Sequence, residues 1–222
     1  MSKPSFLIAL GLAAALLAGT GSSLAHAAPA ATAPASATLP ANATPSQIVE
    51  NRSSYLVAQV VERREEFRAD AEALHAFVDT ELRRIFDVEY SARLVLAQHG
   101  RGASKEEVNA FAEALTDNLL RRYGDALLEV DPGIDMRVKG ETPLREGAIM
   151  RVATEIDRQG GAPVLIDYLF RDTEAGWKVF DVIVEGISYV QTYRTQFAEQ
   201  LRHKSLAQVT AELRAGTLDV EG

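Results

Sequence analysis

Cysteine is absent from this chain of 222 residues, and histidine and tryptophan are scarce, with four copies and one copy. Without cysteine the protein has no disulfide, no thiol nucleophile, no thiolate metal site and no lipoprotein anchor. The chain also lacks the GxSxG, GxGxxG and P-loop patterns of common hydrolase and nucleotide sites. The sequence therefore offers little support for catalysis, and we predict that the protein is not an enzyme.

Positive charge is also in the minority, because 23 Lys and Arg residues face 31 Asp and Glu residues, for a formal net charge of −8. An acidic surface is repelled by phosphate-rich polymers, which argues against a nucleic-acid partner. His75 and Asp79 stand four residues apart, but two ligands on one helix do not make a zinc site. We predict no metal and no cofactor.

The first 27 residues follow the plan of a secretory signal peptide. Lys3 supplies positive charge, residues 6–18 are an apolar run too short to span a bilayer, and residues 25–27 read Ala-His-Ala. We expect cleavage near Ala27; the alternative is an uncleaved membrane anchor. Residues 28–45 are rich in alanine, proline and threonine and are predicted to be a disordered linker. One folded domain over residues 46–216 and a tail over 217–222 complete the chain.

Apolar residues in the first half of the domain recur with the period of amphipathic helices. Ser104 and Glu107 form a capping box at the start of the clearest helix, which we expect to run to Asp131-Pro132-Gly133. Asp87 is a plausible cap for a shorter helix that stops at Gly100. The four predicted helices cover residues 46–67, 74–85, 88–100 and 104–130.

The second half of the domain changes to the alternating period of half-buried strands. We predict strands over 134–138, 150–156, 164–170 and 177–184, with a hairpin turn at 158–161. Glu185-Gly186 ends the fourth strand, and a helix follows from Ile187; a last helix has a capping box at Ser205 and Gln208. Helices before and after an antiparallel meander predict an α+β fold: a four-stranded antiparallel twisted sheet with about six helices packed around its one apolar face, enclosing a pocket.

Two other groups of side chains could carry function. Asp167 and Asp181 on neighbouring strands could act as acid and base, although contacts with solvent, backbone or arginine explain them as well. Arg63-Arg64, Arg83-Arg84 and Arg121-Arg122 are paired basic steps on helix surfaces. They are solvated faces with local ion pairs, or some of them dock a partner or touch a lipid headgroup. The sequence does not choose among the three pairs.

The order of motifs along the domain resembles the MlaC, or toluene-tolerance, family of periplasmic phospholipid-binding proteins. One departure is Ala97, where the family usually has glycine. The resemblance covers about residues 48–214 and rests on the following positions: Val78-Asp79, Glu81-Leu82, Glu89-Tyr90, residues 94–98, Ser104, Tyr123-Gly124, Ala126-Leu127 and residues 185–188, Glu-Gly-Ile-Ser.

The resemblance implies a periplasmic, non-enzymatic shuttle that carries glycerophospholipids between an outer-membrane lipoprotein complex and an inner-membrane ABC-type complex. Such transport maintains the lipid asymmetry of the outer membrane, and the bound phospholipid is cargo. The headgroup is expected near the mouth of the pocket, in water, and Gly186 at the corner where the sheet lining meets the helix lining. The predicted lipid-binding residues on the sheet are Met136, Val138, Met150, Val152, Val164, Ile166, Tyr168, Phe170 and Phe180. Those on the helices are Tyr90, Leu94, Phe111, Leu115, Leu119, Ile187, Val190, Tyr193 and Phe197.

The sequence leaves two alternatives open. One is an enzyme in a cone-like α+β fold, with Asp167 or Asp181 working beside Tyr168. The other is a structural or chaperone-like periplasmic protein with a closed core, which would hold no lipid.

Overall fold

The computed structural model describes residues 39–40, 42–157, 162–218 and 220. The predicted signal peptide, most of the predicted linker and the predicted turn at 158–161 lie outside the described residues. Within the described part of the chain there are seven α-helices and five strands. The helices are α1 (Pro45–Glu62), α2 (Arg64–Ala69), α3 (Ala71–Ile85), α4 (Val88–Leu96), α5 (Lys105–Tyr123), α6 (Tyr189–Gln200) and α7 (Leu206–Ala215). The strands are β1 (Met136–Leu144), β2 (Ile149–Ile156), β3 (Val164–Arg171), β4 (Lys178–Val184) and β5 (Ile187–Ser188).

The five strands form one antiparallel sheet in the order β1-β2-β3-β4-β5. The α+β fold class and the antiparallel meander are confirmed, and the sheet has one more strand than predicted. The first strand begins at Met136, not at residue 134, and continues past Val138 to Leu144. A register irregularity between Val138 and Gly140 interrupts the alternation of apolar and polar residues, so the sequence pattern does not reveal the second part of the strand. Its far end carries Pro143, which an edge strand tolerates.

The predicted helix caps agree with the structure. The Ser104 hydroxyl accepts a bond from the Glu107 amide at 3.1 Å, and the Glu107 carboxylate accepts one from the Ser104 amide at 2.8 Å. The same capping box forms between Ser205 and Gln208, and Asp87 caps α4. Caps satisfy the first backbone amides of a helix, which otherwise have no partner, so these short signals fix helix starts reliably.

The predicted helix ends are less accurate. The helix expected over 46–67 breaks at Arg63, whose backbone is not helical, and α2 begins after it. The helix expected to reach residue 130 stops at Tyr123 and tightens into a 3-10 segment, Gly124–Glu129. His75 packs against the bare backbone of Gly124, where a Cβ would lie 3.0 Å from its Nε2. The helix after Asp87 ends at Leu96, because Ala97 has a φ of 49°.

The predicted helix from Ile187 begins two residues later, at Tyr189. Glu185 and Gly186 both have positive φ, 50° and 82°, as in a two-residue hairpin turn. This turn folds Ile187 and Ser188 back against β4 as the short strand β5. Ser188 then caps α6 by accepting a bond from the Gln191 amide.

Apolar side chains gather in two clusters. The sheet cluster joins the inner face of the sheet to α1, α2 and α3, and includes Phe67, Leu74, Ile166 and Phe170. Leu39 and Ala43, before α1, are partly buried against it. The helical cluster joins α4, α5, α6 and α7. The outer face of the sheet carries ion pairs such as that of Lys139 with Glu155 at 3.0 Å, so one face of the sheet is strongly apolar, as predicted.

Candidate functional site

A cavity of about 180 Å³ lies where the sheet cluster meets the helical cluster. Its walls come from α3, α4, α5, β4 and the start of α6, and most of its surface is apolar. Aliphatic and aromatic side chains with a few polar groups are the usual lining of a small-molecule site. The place where two separately packed layers meet is therefore the candidate site.

Strand β4 reaches this cavity because it contains a bulge. Phe170 pairs with Val179 and Leu169 pairs with Asp181, so that Phe180 is left without a partner in the register. The Phe180 ring makes an edge contact with the Tyr90 ring, with centroids 5.4 Å apart. A bulge redirects side chains and is common beside functional sites. Here it turns Phe180 toward the helical layer.

Asp181 follows the bulge and anchors α6 in the cavity wall. Its carboxylate accepts bonds from the Ser188 hydroxyl at 2.6 Å and from the Val190 amide at 3.1 Å. Burial raises the pKa of Asp181, and the bonds from Ser188 and Val190 oppose that rise. The residue thus has a structural task, holding the first turn of α6 against β4.

Tyr189 and Tyr193 bring the aromatic surface of α6 to the cavity, with ring centroids 6.1 Å apart. Burial raises the pKa of Tyr189 to about 12 and also raises the pKa of Tyr193 well above its usual value. The Tyr193 hydroxyl is buried and has no hydrogen-bond partner in the structure. Both hydroxyls therefore stay protonated in the physiological range and leave the cavity uncharged at this wall.

Besides Ser91 and Asp181, the polar residues of the cavity wall are Asp79, Arg83 and Thr116, and we call these three the mouth. Asp79 Oδ2 accepts a bond from Arg83 Nε at 2.7 Å, one helical turn away on α3. The Arg83 side chain is 43% exposed and the Asp79 side chain 29%. Of the cavity-lining residues that the structure describes, Arg83 is the one that is exposed, so solvent reaches the cavity wall beside its guanidinium group.

The structure brings five of the predicted lipid-binding residues together around this cavity. They are Leu115, Leu119, Phe180, Val190 and Tyr193. The predicted residues of β1, β2 and β3 pack in the sheet cluster instead. Those residues are Met136, Val138, Met150, Val152, Val164, Ile166, Tyr168 and Phe170.

The remaining predicted residues are on or near the helical layer but do not line the cavity. Phe111 and Phe197 fill the helical cluster against each other, with ring centroids 4.9 Å apart, and Leu94 packs at its margin. Tyr90 lies behind Phe180 and under the Arg171 guanidinium. Ile187 is 61% exposed, because the hairpin turn places it in β5 rather than on α6.

Sequence reasoning missed the contribution of α3 and the small residues of the cavity wall. Leu82, Phe86, Ala92 and Ala112 line the cavity along with the mouth residues. A signal for α3 was available, because the motif that carries the family resemblance includes Asp79 and Leu82. No comparable signal marks the two alanines, since small residues are common on buried helix faces.

The groups of the alternative enzymatic hypothesis are not assembled in one place. Tyr168 is buried on the inner face of the sheet, whereas its neighbour Asp167 is on the outer face, 3.7 Å from Arg151. Asp181 is engaged by α6, as described above. Among the described residues no group of three or more His, Asp or Glu could hold a metal ion. No helix in that part of the chain is long and apolar enough to cross a membrane.

The sheet, the helices on its one apolar face and the cavity between them define an α+β protein with an internal apolar site. The family model of the MlaC protein matches residues 50–215, so the chain belongs to the MlaC family. It is 25% identical over 161 residues to the toluene tolerance protein ttg2D of Pseudomonas putida, covering 72% of this chain and 74% of that one.

A solved structure shares the fold. It is the phospholipid-binding protein from Ralstonia solanacearum in complex with a phospholipid, with a TM-score of 0.68. The two proteins are 19% identical, and the match covers 77% of this chain and 94% of the other.

Proposed function

We propose that this protein binds a phospholipid, with the acyl chains in the cavity between the two clusters and the headgroup at the mouth. The observation that carries the proposal is the cavity itself, which is apolar within and opens beside charged residues. Membership of the MlaC family and the fold shared with a phospholipid complex support it.

The energetics of lipid transfer explain why such a cavity is needed. Two acyl chains with about 30 methylenes would cost on the order of 20 kcal/mol to expose to water, at about 0.8 kcal/mol per methylene. A cavity lined by aliphatic and aromatic groups replaces one apolar environment with another, so transfer is nearly neutral and reversible. Direction must then come from the partners of the protein.

The cavity must widen to hold this cargo. Its volume of about 180 Å³ is smaller than that of typical small-molecule sites, roughly 300–1,000 Å³. The boundary between the clusters is the place to widen, because separating two packed layers leaves each layer intact. Tyr189 contacts both clusters, so it would keep its contacts with only one of them when the two layers separate.

We further propose that the protein is a periplasmic carrier whose signal peptide is cleaved near Ala27. It would move glycerophospholipids between an outer-membrane lipoprotein complex and an inner-membrane ABC-type complex, without enzymatic activity or a cofactor, and so maintain outer-membrane lipid asymmetry. The family supports this role. N-terminal sequencing of the protein from the periplasmic fraction tests the location, with Ala28 as the expected first residue.

The lipid-binding proposal is tested by narrowing the cavity. Leu119 and Leu94 are both half-buried leucines of the helical layer, but Leu119 lines the cavity and Leu94 does not. Leu119→Trp should reduce co-purified phospholipid at least tenfold, whereas Leu94→Trp should keep the wild-type amount. Mass spectrometry of organic extracts from equal amounts of folded protein measures both.

Equal lipid content in the two variants would contradict the assigned cavity. A wild-type protein that carries no diacyl lipid, and takes up none from vesicles of phosphatidylethanolamine and phosphatidylglycerol, would contradict lipid binding altogether. The carrier role has its own test, because a carrier accelerates the transfer of a fluorescent phospholipid between donor and acceptor vesicles. A protein that binds the lipid but does not accelerate transfer would be a store rather than a carrier.

A further inference from the structure

The paired arginines on the helix surfaces differ in what they contact. Arg63, Arg64, Arg84 and Arg121 lie outside the cavity, and each is paired with a carboxylate or a backbone carbonyl of the fold. Arg83 lines the cavity. Among the described residues that line the cavity, it is the one with a positively charged side chain.

Asp79 binds Arg83 in a way that leaves much of the guanidinium available. The bond from Arg83 Nε to Asp79 Oδ2 fixes the plane of the group. The structure gives the two terminal nitrogens of Arg83 no acceptor among the described residues. A guanidinium held at Nε presents its terminal nitrogens as a fork, which matches two oxygens of a phosphate.

We propose that Arg83 binds the phosphate of the lipid headgroup through its terminal nitrogens, with Asp79 as the positioning residue. This inference rests on the proposed function, since the phosphate reaches Arg83 when the acyl chains occupy the cavity. The ligand chemistry is a phosphodiester at the boundary between an apolar cavity and water. The glycerol and any further headgroup extend into solvent beyond it.

The surroundings of Arg83 limit the charge that this site accepts. The bond to Asp79 and the nearby carboxylates of Glu113 and Asp117 raise the pKa of the Arg83 guanidinium, so it stays charged at any physiological pH. The same carboxylates repel negative charge. A phosphodiester with one charge therefore suits the mouth better than a phosphate with two.

The test compares two lipids that share their acyl chains and differ in phosphate. Delipidated protein is titrated with dioleoyl phosphatidylglycerol and with dioleoylglycerol. The wild type should bind the phospholipid about tenfold more tightly or better, as expected for a charge-assisted pair at a partly exposed site. Arg83→Gln should remove this preference and leave the affinity for dioleoylglycerol unchanged.

Three variants separate the contact from general effects on the fold. Arg84→Gln is the matched control, because the neighbouring arginine lies outside the cavity, and it should behave as wild type. Arg83→Lys keeps the charge but loses the fork, so it should recover only part of the preference. Asp79→Asn with Arg83→Gln removes both partners of the pair, which avoids leaving a carboxylate unpaired, and should behave as Arg83→Gln.

The outcomes distinguish this inference from the proposed function. If the wild type binds both lipids equally and Arg83→Gln changes neither affinity, the phosphate contact is wrong and lipid binding stands. If the wild type binds neither lipid, the proposed function fails. If millimolar inorganic phosphate binds alone and competes with phosphatidylglycerol, Arg83 belongs to a free-phosphate site and the headgroup assignment is overturned.

Discussion

The sheet cluster and the cavity wall are built from the same kinds of residues, yet one is closed and the other is open. In the sheet cluster the inner faces of β2 and β3 are covered by α1, α2 and α3, and side chains such as Phe170 and Ile166 have no exposed surface. In the cavity wall, α3, α4 and α5 face the bulged part of β4 and the start of α6 without filling the space between. Composition does not distinguish the two regions; the spacing between their layers does.

The difference follows from how β4 departs from a regular sheet. Its Val179 and Val184 stay with the sheet cluster, while Phe180 and Asp181 line the cavity. One strand therefore serves both regions. Without the bulge, alternate side chains of β4 would face the sheet cluster and the outer face of the sheet. Phe180 and Asp181 would then not both contribute to the cavity wall.

The largest effect should come from truncating the closed region. Phe170→Ala is expected to lower the free energy of unfolding by about 3–5 kcal/mol, because it opens a void among rigidly packed neighbours. Urea denaturation measures this loss. Phe180→Ala, on the cavity wall, removes the same side chain and should cost less, since one side of Phe180 already borders the cavity.

The amount of bound phospholipid tests whether the sheet cluster and the cavity wall are separate regions. Phe170→Ala should retain wild-type phospholipid per folded molecule, because Phe170 does not line the cavity. If Phe170→Ala loses its lipid while it remains folded, the sheet cluster is part of the binding site and the division into a closed and an open region is wrong.

Asp181 tests how firmly α6 is held to the open region. Asp181→Ala should lower the free energy of unfolding by about 1–2 kcal/mol, because the Val190 amide loses its acceptor at the first turn of α6. Asp167→Ala, on the outer face of the sheet, removes a partly exposed ion pair and should cost less than about 1 kcal/mol, because water screens such a pair.

The pH dependence of the Asp181→Ala effect has a definite sign. Burial raises the pKa of Asp181 above 3.8 in the folded protein, so the folded state binds more protons than the unfolded chain between 3.8 and the raised value. The contribution of Asp181 to stability is therefore fully present below pH 3.8 and declines as the pH rises through the folded pKa. The gap between wild type and Asp181→Ala should narrow over that window in urea titrations; a widening gap would mean that the pKa is lowered.

The sequence predicts the elements of this protein better than its cavity, and particular residues show why. The sequence identifies Ser104, Ser205 and Asp87 as caps, because capping depends on residues three positions apart. Alternation along β3 correctly placed Tyr168 and Phe170 on the apolar face. Whether that face is covered or left open depends on contacts between distant segments, and a period of two residues carries no such information.

The missed features have the same cause. Phe111 and Phe197 fit the helical stripe of a lining residue equally well as Leu115, but their rings close on each other. The bulge at Phe180 depends on the pairing of β3 with β4, which local propensity does not determine. Arg83 differs from its neighbour Arg84 by one position on α3, and only the packing of α3 against α5 makes one of them part of the mouth.

The smallest effects concern two backbone positions with positive φ, one in the turn after β4 and one at the end of α4. Gly186, in the turn between β4 and β5, has a φ of 82° and no atom within 4 Å of the place where a Cβ would lie. Ala97, which ends α4 in the helical layer, has a φ of 49° but carries a side chain. Gly186→Ala should lower the free energy of unfolding by about 1 kcal/mol, and Ala97→Gly should raise it by a similar amount.

Substitutions of different size at Gly186 distinguish backbone strain from a side chain that enters the cavity lining. If the loss of stability arises from backbone strain, Gly186→Leu and Gly186→Ala should lower the free energy of unfolding by the same amount, within about 0.5 kcal/mol. Both variants should also keep their phospholipid, because Gly186 faces open space rather than the cavity. Thermal unfolding and mass spectrometry of extracted lipid measure the two quantities. A loss of lipid in Gly186→Leu alone would restore Gly186 as the corner between the sheet and helix linings. An Ala97→Gly variant that is more stable than the wild type would show that the positive φ of Ala97 has a backbone cost.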